Sequence, residues 1–188
     1  MTQNALDTRT GLPEPLRLLL EAHPRESWQA HPQFHGLVSF WLERHMMFRQ
    51  LMAHMSRDTE AFLDGNRDAR AFSQGIARYG GLFVNQLHGH HQIEDHHYFP
   101  LLRSRDARIE PGFDLLDADH HALDAILERF VQQANAAIQA RDAAASRNAA
   151  GVLRSGLADL ERLIGRHLED EEDLIVPVIL AHGADGLA

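Results

Sequence analysis

The chain contains one short pattern twice, and this pattern limits its possible folds more than any other feature does. The first copy lies in the histidine-rich stretch His88–Pro100, HGHHQIEDHHYFP, and the second in His167–Pro177, HLEDEEDLIVP. Both copies read His-x3-Glu-x5-Pro. On an α-helix, residues i and i+4 lie on the same face, so each copy presents an imidazole and a carboxylate side by side. This arrangement is typical of metal ligands, and its repetition predicts a fold that brings the two pairs together.

The composition excludes several classes of protein and of metal site. Hydrophobic residues make up 44% of the chain, and no apolar run is long enough to span a membrane. The net charge of −9 argues against a nucleic-acid surface. The absence of cysteine excludes disulfides, thiolate ligands and iron–sulfur clusters. The N-terminal residues lack the basic start and apolar segment of a secretory signal, so we expect a cytoplasmic location.

Four long segments carry apolar residues at alternating spacings of three and four, which predicts four amphipathic helices. These segments cover residues 33–64, 68–99, 113–140 and 150–180. With short connections they favour an all-α, up-down-up-down four-helix bundle over residues 33–180. We expect residues 1–32 to form an N-terminal arm with a short helix, of which residues 1–11 are disordered or loosely attached, and residues 181–188 to form a tail. Pro100 should end or kink the second helix.

Six polar residues lie on the apolar stripes of these helices, where buried polar groups need partners. They are His45, His90, Glu94, His120, His167 and Glu171. In antiparallel helices of these lengths, all six fall at one height of the bundle. Histidine and carboxylate donors without sulfur suit iron, manganese or zinc, and two glutamates from opposite copies suit a two-metal centre. The alternative is a buried network of His–Glu hydrogen bonds without metal.

The choice of histidine on the first and third helices rests on the position of the stripe. His35 and His54 lie off the stripe that contains His45. On the third helix, His121 is rotated by about 100° from His120, which shares the stripe with the leucines. The stripe therefore favours His45 and His120.

A second histidine–carboxylate pair, His91 and Asp95, also has i,i+4 spacing. The match with the second copy favours His90 and Glu94 instead, so we expect His91 to orient a ligand or to face the surface. Trp41 and Tyr79 lie on the core stripe, where they should line the pocket, with a partner for the indole N–H and the phenol O–H.

Through these histidines and the doubled motif, residues 33–180 resemble the hemerythrin-like (HHE cation-binding) family. The resemblance implies a four-helix bundle that holds a non-haem di-iron centre and binds dioxygen, or responds to oxygen, nitric oxide, peroxide or iron level. It implies that Glu94 and Glu171 bridge the metals and that the histidines are terminal ligands, namely His45, His90, His120 and His167. The implied cofactor is two iron ions joined by an oxygen atom or by carboxylates, with manganese or zinc as alternatives.

Two departures from the oxygen-carrying members of that family bear on the chemistry. They have a second histidine where this chain has Asp124, which should lie near the pocket, and their last carboxylate follows its histidine by five residues, whereas Glu171 follows by four. These differences argue against a five-histidine oxygen-carrier site. If a fifth imidazole contributes, His97, one turn beyond Glu94, is the residue we expect. Two histidines per metal leave more open coordination, which favours redox chemistry over oxygen storage.

A protein that binds or senses dioxygen, nitric oxide or peroxide is therefore the favoured function, and no residue is assigned a catalytic role. A di-iron oxidase or peroxidase of the ferritin-like class is an alternative, although that class uses Glu-x-x-His, and no such pair occurs on the core stripes. A third hypothesis is an iron-homeostasis or interaction module that the metal stabilises. We expect neither a nucleic-acid nor a membrane partner. A sensor would signal through a partner protein or as a homo-oligomer.

Overall fold

The computed structural model describes residues 5–187, so residues 1–4 of the predicted arm and residue 188 of the predicted tail lie outside the described residues. Within residues 5–187 the regular structure is helical and no strand occurs. The predicted fold class, an all-α helical bundle, is confirmed.

The helices follow the four predicted segments closely. A short helix, α1 (Leu18–Ala22), lies between 3₁₀ turns at Glu14–Leu16 and Arg25–Ala30. The long helices and the pieces between them are α2 (Leu37–Leu63), α3 (Ala69–Ile93), a π turn (Glu94–Tyr98), α4 (Phe99–Arg103), α5 (Glu110–Gln139) and α6 (Ala143–His182).

Local capping explains where two of these helices begin. Gly65, with φ of 80°, turns the chain after α2, and the Asp68 side chain accepts a hydrogen bond of 2.9 Å from the N–H of Ala71. Asp142 does the same for Ala145 at 2.8 Å. The alanine-rich stretch after Asp142 is therefore helical, and α6 begins earlier than the segment predicted from residue 150.

The prediction that Pro100 ends its helix is wrong, and the alternative that it kinks the helix stays a prediction. Pro100 lies in the first turn of α4, which follows the π turn directly. Proline lacks an N–H and its ring clashes with the carbonyl four residues earlier. The π turn widens the backbone just before this point, and the N–H of Phe99 bonds to the carbonyl of Glu94, five residues back. Helical structure thus continues past the proline. π turns are rare and are often found at functional sites.

The chain divides into two compact units. The first contains the residues up to Met46, then His90–Ala122, then the chain from Arg166 onward. The second contains Met47–Gly89 and Leu123–Gly165. The division into arm, bundle and tail that the sequence suggested stays a prediction.

The core of the first unit includes the N-terminal segment, residues 5–30. Leu12, Leu16 and Trp28 belong to the same buried apolar cluster as Phe113 and Ile179. Apolar burial contributes about 25 cal/mol per Å², so this contact ties the segment to the helices.

The expectation that residues 1–11 are loosely attached is wrong for residues 5–11. Leu6 and Arg9 are buried, and the Arg9 guanidinium donates to the carboxylates of Asp119 and Asp170. A sequence of mixed polarity concealed these contacts because their partners lie more than a hundred positions away.

The second unit is held by aromatic packing. Phe62 stacks on Phe72 with ring centroids 4.4 Å apart, and Phe83 meets both Phe48 and Phe130 edge to face. Among the described residues, no helix combines the length and the apolar character needed to cross a membrane.

Candidate metal centre

The first unit brings the six predicted donor residues into one buried pocket. They come from α2 (His45), α3 (His90), the start of the π turn (Glu94), α5 (His120) and α6 (His167 and Glu171). His45, Glu94, His167 and Glu171 have no exposed surface, and His120 is 4% exposed. Their role as ligands remains a prediction, whereas their convergence is a feature of the structure.

Each glutamate faces two different histidines, one with each carboxylate oxygen. Glu94 Oε1 lies 2.9 Å from His90 Nε2, and its Oε2 lies 3.6 Å from His120 Nε2. Glu171 Oε1 lies 3.3 Å from His45 Nε2, and its Oε2 lies 3.4 Å from His167 Nε2.

The four histidines therefore form two pairs, and both glutamates connect them. His45 and His90 form one pair, with their Nε2 atoms 3.1 Å apart. His120 and His167 form the other, with ring centroids 4.8 Å apart. A carboxylate with one oxygen toward each pair has the arrangement of a bridging ligand.

The opposite ring nitrogens of three of these histidines are held by other carboxylates. The Nδ1 of His45 lies 3.0 Å from Glu172 Oε1, and that of His120 lies 2.7 Å from Asp95 Oδ1. The Nδ1 of His167 lies 3.4 Å from Asp119 Oδ2. An ionised carboxylate only accepts hydrogen bonds, so each Nδ1 carries the proton and each Nε2 presents a lone pair to the pocket. Carboxylates that fix the tautomer in this way are common around metal-binding histidines.

Two of these carboxylates are held in turn by arginines of the N-terminal segment. Arg9 donates to both oxygens of Asp119 and, at 2.6 Å, to Asp170 Oδ2. Arg25 donates to Glu172 Oε2 at 3.0 Å and to Asp173 at 2.6 Å.

One arginine thus supports the histidine pair that contains His45, and the other supports the pair that contains His167. Arg9 and Asp119 are both almost completely buried, whereas the Arg25 side chain is partly exposed. The contact between Arg9 and Asp119, which supports His167, is therefore shielded from water.

The two glutamates have opposite pKa shifts. Burial, reinforced by the charge of Glu171, raises the pKa of Glu94 well above its usual range. Burial acts in the same direction on Glu171, but the neighbouring imidazoles, first of all His45, hold its pKa well below its usual range. These opposite shifts favour the neutral form of Glu94 and the ionised form of Glu171, and a bound dication would favour the anionic form of both.

Burial lowers the pKa of three histidines of the pocket. Burial lowers the pKa of His90 from 6.5 to about 3, and it also lowers the pKa of His91 and of His167 despite the hydrogen bond to Asp119. His45 differs, because Glu171 and Glu172 together outweigh burial and raise its pKa. Neutral imidazole is the form that binds metal.

Several buried atoms of the pocket that could bind a metal have no hydrogen-bond partner. Their arrangement is a test of whether metal ions fit the pocket. They are both carboxylate oxygens of Glu94, Glu171 Oε2, and the Nε2 atoms of His91, His120 and His167. A buried polar atom without a partner costs about 1–3 kcal/mol. Six such atoms directed at one pocket are compatible with metal ions, which would satisfy them, and the donor set of imidazole and carboxylate suits iron, manganese or zinc.

His91 faces the pocket, whereas His97, the residue expected as a possible additional ligand, does not. His91 is 5% exposed, its ring stacks on His120, and one ring nitrogen of each of His91, His120 and His167 lies within 4.8 Å of the others. His97 is exposed. The prediction for His97 assumed a continuous α-helix, whereas the π turn changes the direction of every residue after Glu94.

Of the residues predicted to line the pocket, Trp41 lies there and two others do not. The Trp41 indole N–H donates to Glu171 Oε1, and its ring meets that of His90 with centroids 6.0 Å apart. Tyr79 belongs to the second unit, where its ring packs on His54 with centroids 4.1 Å apart. Asp124 is also in the second unit and is exposed.

The supporting carboxylates were partly visible in the sequence and the arginines were not. Asp119 and Glu172 directly neighbour predicted donors, and Asp95 has helical spacing to His91, although it bonds to His120 instead. Nothing in the sequence connects Arg9 or Arg25 with residues so distant along the chain.

Comparison with known proteins agrees with this geometry at the level of the family. No curated protein matches the chain, and no solved structure does. The family model described as the hemerythrin HHE cation binding domain matches residues 36–179. This range covers most of the chain and includes all six donors, so the protein belongs to the hemerythrin HHE cation-binding domain family.

Proposed function

We propose that the protein is a non-haem di-iron protein that binds or senses dioxygen, nitric oxide or peroxide. The observation that carries this proposal is the pair of buried glutamates, each with its two oxygens directed at different histidine pairs. One metal would be held by His45 and His90 and the other by His120 and His167, with Glu94 and Glu171 bridging. We place the protein in the cytoplasm, as the sequence predicts.

The residues of the chain itself perform three tasks in this proposal. The carboxylates at Nδ1 keep the imidazoles oriented with their lone pairs inward. The Trp41 N–H holds one oxygen of Glu171 and so orients this carboxylate. The apolar surroundings, which include Phe99 with its ring 5.5 Å from that of His120, limit the access of water. Two bound iron ions supply a redox-active centre with coordination positions for a small ligand.

The burial of the donors favours a small ligand over a bulky substrate. Glu94 and Glu171 are completely enclosed, and so are His45 and His167. A diatomic molecule or hydrogen peroxide needs only a narrow path to such a site, whereas a larger organic molecule would require the helices to separate.

Metal analysis and a visible spectrum test the proposal. The protein is loaded anaerobically with ferrous iron, its iron content is measured, and its spectrum is recorded before and after addition of oxygen. We expect two irons per chain and new absorption bands after oxygen. Protein that stays free of metal and without colour after reconstitution would contradict the proposal.

Matched variants connect the result with the pocket. Glu94→Gln and Glu171→Gln should lose iron, whereas Glu128→Gln, a change of an exposed residue of α5, should bind two irons.

Hydrogen peroxide should oxidise the ferrous protein at least tenfold faster than tert-butyl hydroperoxide. Equal rates would contradict a buried site, and sustained turnover of peroxide would favour the oxidase or peroxidase alternative.

A further inference from the structure

His91 is a buried imidazole at the edge of the proposed ligand set. Its side chain is 5% exposed, and its Nε2 is a buried atom without a hydrogen-bond partner. Such a nitrogen is costly unless something outside the protein chain satisfies it. This observation separates His91 from the other histidines of the stretch His88–Pro100 that are exposed, such as His96 and His97.

The nearest histidine rings to His91 are the two of a single pair, whereas the ring of His90 is farther away, with centroids 6.0 Å apart. Its ring stacks on that of His120, with centroids 4.0 Å apart and planes inclined by 12°. It meets His167 edge to face with centroids 5.4 Å apart. His91, His120 and His167 form one group of three buried donors, and His45, His90, Glu94 and Glu171 form another.

Asp95, the carboxylate with i,i+4 spacing to His91, contacts a different histidine. Asp95 lies four residues after His91, where it would hold the ring in a supporting role. Instead, Asp95 Oδ1 lies 2.7 Å from the Nδ1 of His120. His91 therefore lacks the carboxylate partner that a histidine acting only as a spacer or an orienting group would use.

The adjacent positions of His90 and His91 allow one helix to serve both pairs. Successive residues of an α-helix point about 100° apart. His90 points toward His45, with 3.1 Å between their Nε2 atoms, whereas His91 stacks on His120.

We propose that His91 is a third imidazole ligand of the metal held by His120 and His167. The centre then has two imidazoles on one metal and three on the other, and the two metals are chemically different. This inference rests on the proposed function, because it requires metal in the pocket.

Two variants and a matched control test the assignment. The variants are His91→Ala and His91→Gln, of which the second keeps much of the buried volume, and the control is His97→Ala at an exposed position of the same stretch. Each protein is loaded with ⁵⁷Fe(II) under nitrogen, and its Mössbauer spectrum and its rate of iron loss to a chelator are measured. We expect two distinct doublets of equal area in the wild type. Both His91 variants should shift one doublet and release one iron at least tenfold faster. The control should match the wild type, and added imidazole should reverse the effect in His91→Ala.

The outcomes separate this inference from the proposed function. A wild type that takes up no iron contradicts the proposed function. A wild type with two irons, together with His91 variants of unchanged spectrum and release rate, contradicts the role of His91 alone. A measurement that needs no variant decides the case in which the variants fail to fold. Five paramagnetically shifted, exchangeable imidazole N–H signals in the ferrous wild type support five histidine ligands, and four contradict the proposal.

Discussion

The histidines of the pocket differ mainly in what holds their outer nitrogen. His120 is held by Asp95, whose side chain is 27% exposed, so this contact can be changed with little disturbance of the core. His121, the next residue, faces solvent and lies 3.9 Å from the carboxylate of Asp117 on the helix surface. The two histidine–aspartate pairs thus provide a natural comparison between a supporting contact and a surface contact.

We predict that Asp95→Asn weakens iron binding by about 10–100-fold, because it replaces the charged acceptor that fixes the tautomer of His120. Asp117→Asn should leave iron affinity within about twofold of the wild type, because surface ion pairs contribute little. Competition with a chromophoric chelator measures both affinities. Equal affinities of the two variants would show that the contact of Asp95 does not support metal binding.

A second prediction concerns the stability of the metal-free protein at acidic pH. The pKa values of His90, His91 and His167 are lowered in the folded state, that of His90 to about 3. Below pH 6.5 the unfolded chain binds protons at these residues and the folded chain does not. Each therefore contributes stability that is present above pH 6.5 and is lost as the pH falls, by up to about 1.4 kcal/mol per pH unit.

His45 has a raised pKa, and its contribution is present below pH 6.5 and is lost as the pH rises. The raised pKa of Glu94 acts in the same direction as that of His45, because the folded chain keeps a proton there at pH values where the unfolded chain has lost it. Three lowered pKa values oppose these two raised values, so the free energy of unfolding should fall between pH 7 and pH 5. Urea unfolding of chelator-treated protein at both pH values measures it, with His97→Ala as a control that keeps the same slope. A free energy of unfolding that is constant or higher at pH 5 would contradict this expectation.

At the scale of elements, the N-terminal segment is part of the site rather than an appendage. It contributes Leu12, Leu16 and Trp28 to the core of the first unit, and its arginines hold two of the carboxylates behind the histidines. Burial of the Arg9–Asp119 contact makes it sensitive to the loss of either partner, since the remaining charge would stay buried without compensation.

We predict that Arg9→Gln lowers the free energy of unfolding by about 3–5 kcal/mol, because it leaves Asp119 and Asp170 without their shared cation. It should also speed the loss of iron, since Asp119 holds His167. The control is Arg103→Gln, which removes partly exposed ion pairs with Glu110 and Asp114 and should cost at most about 1 kcal/mol. Similar losses for both variants would mean that the buried contact has no special role.

The sequence predicted the elements better than it predicted the local backbone. The apolar stripes and the repeated i,i+4 pairs sufficed for four helices and for the convergence of His90 and Glu94 with His167 and Glu171. These patterns favoured His97 as an additional ligand, because they assume a continuous α-helix and the π turn before His97 has no simple periodic signal. They also could not connect Arg9 with α5 and α6, since periodicity describes only contacts that are local in the chain.

At the scale of the whole molecule, the donors are concentrated in one of the two compact units. All six proposed ligands, His91 and the supporting arginines belong to the first unit, whereas the second unit has an aromatic core built on Phe62, Phe72 and Phe83. Metal binding can therefore change the free energy of local opening by different amounts in the two units.

We predict that iron slows amide hydrogen exchange selectively in the first unit. At iron concentrations about 100 times the dissociation constant, protection from opening events that release the metal should rise about 100-fold in residues 90–122 and 166–187. Residues 47–89 and 123–165 should change by less than about twofold. Mass spectrometry of peptides from metal-free and iron-bound protein measures both. An equal gain in the two units would show that metal stabilises the molecule only as one cooperative whole.

The π turn has a consequence for the redesign of the chain. The two copies of the motif have the same spacing up to their prolines, yet Pro100 follows a π turn and Pro177 lies within the continuous helix α6. The repeat therefore preserves the order of the donors but not the path of the backbone. A symmetrised molecule built from two copies of residues 167–177 would retain a histidine and a glutamate in each half. It would lose the change of direction that turns Tyr98 toward Trp41 and leaves His97 in solvent.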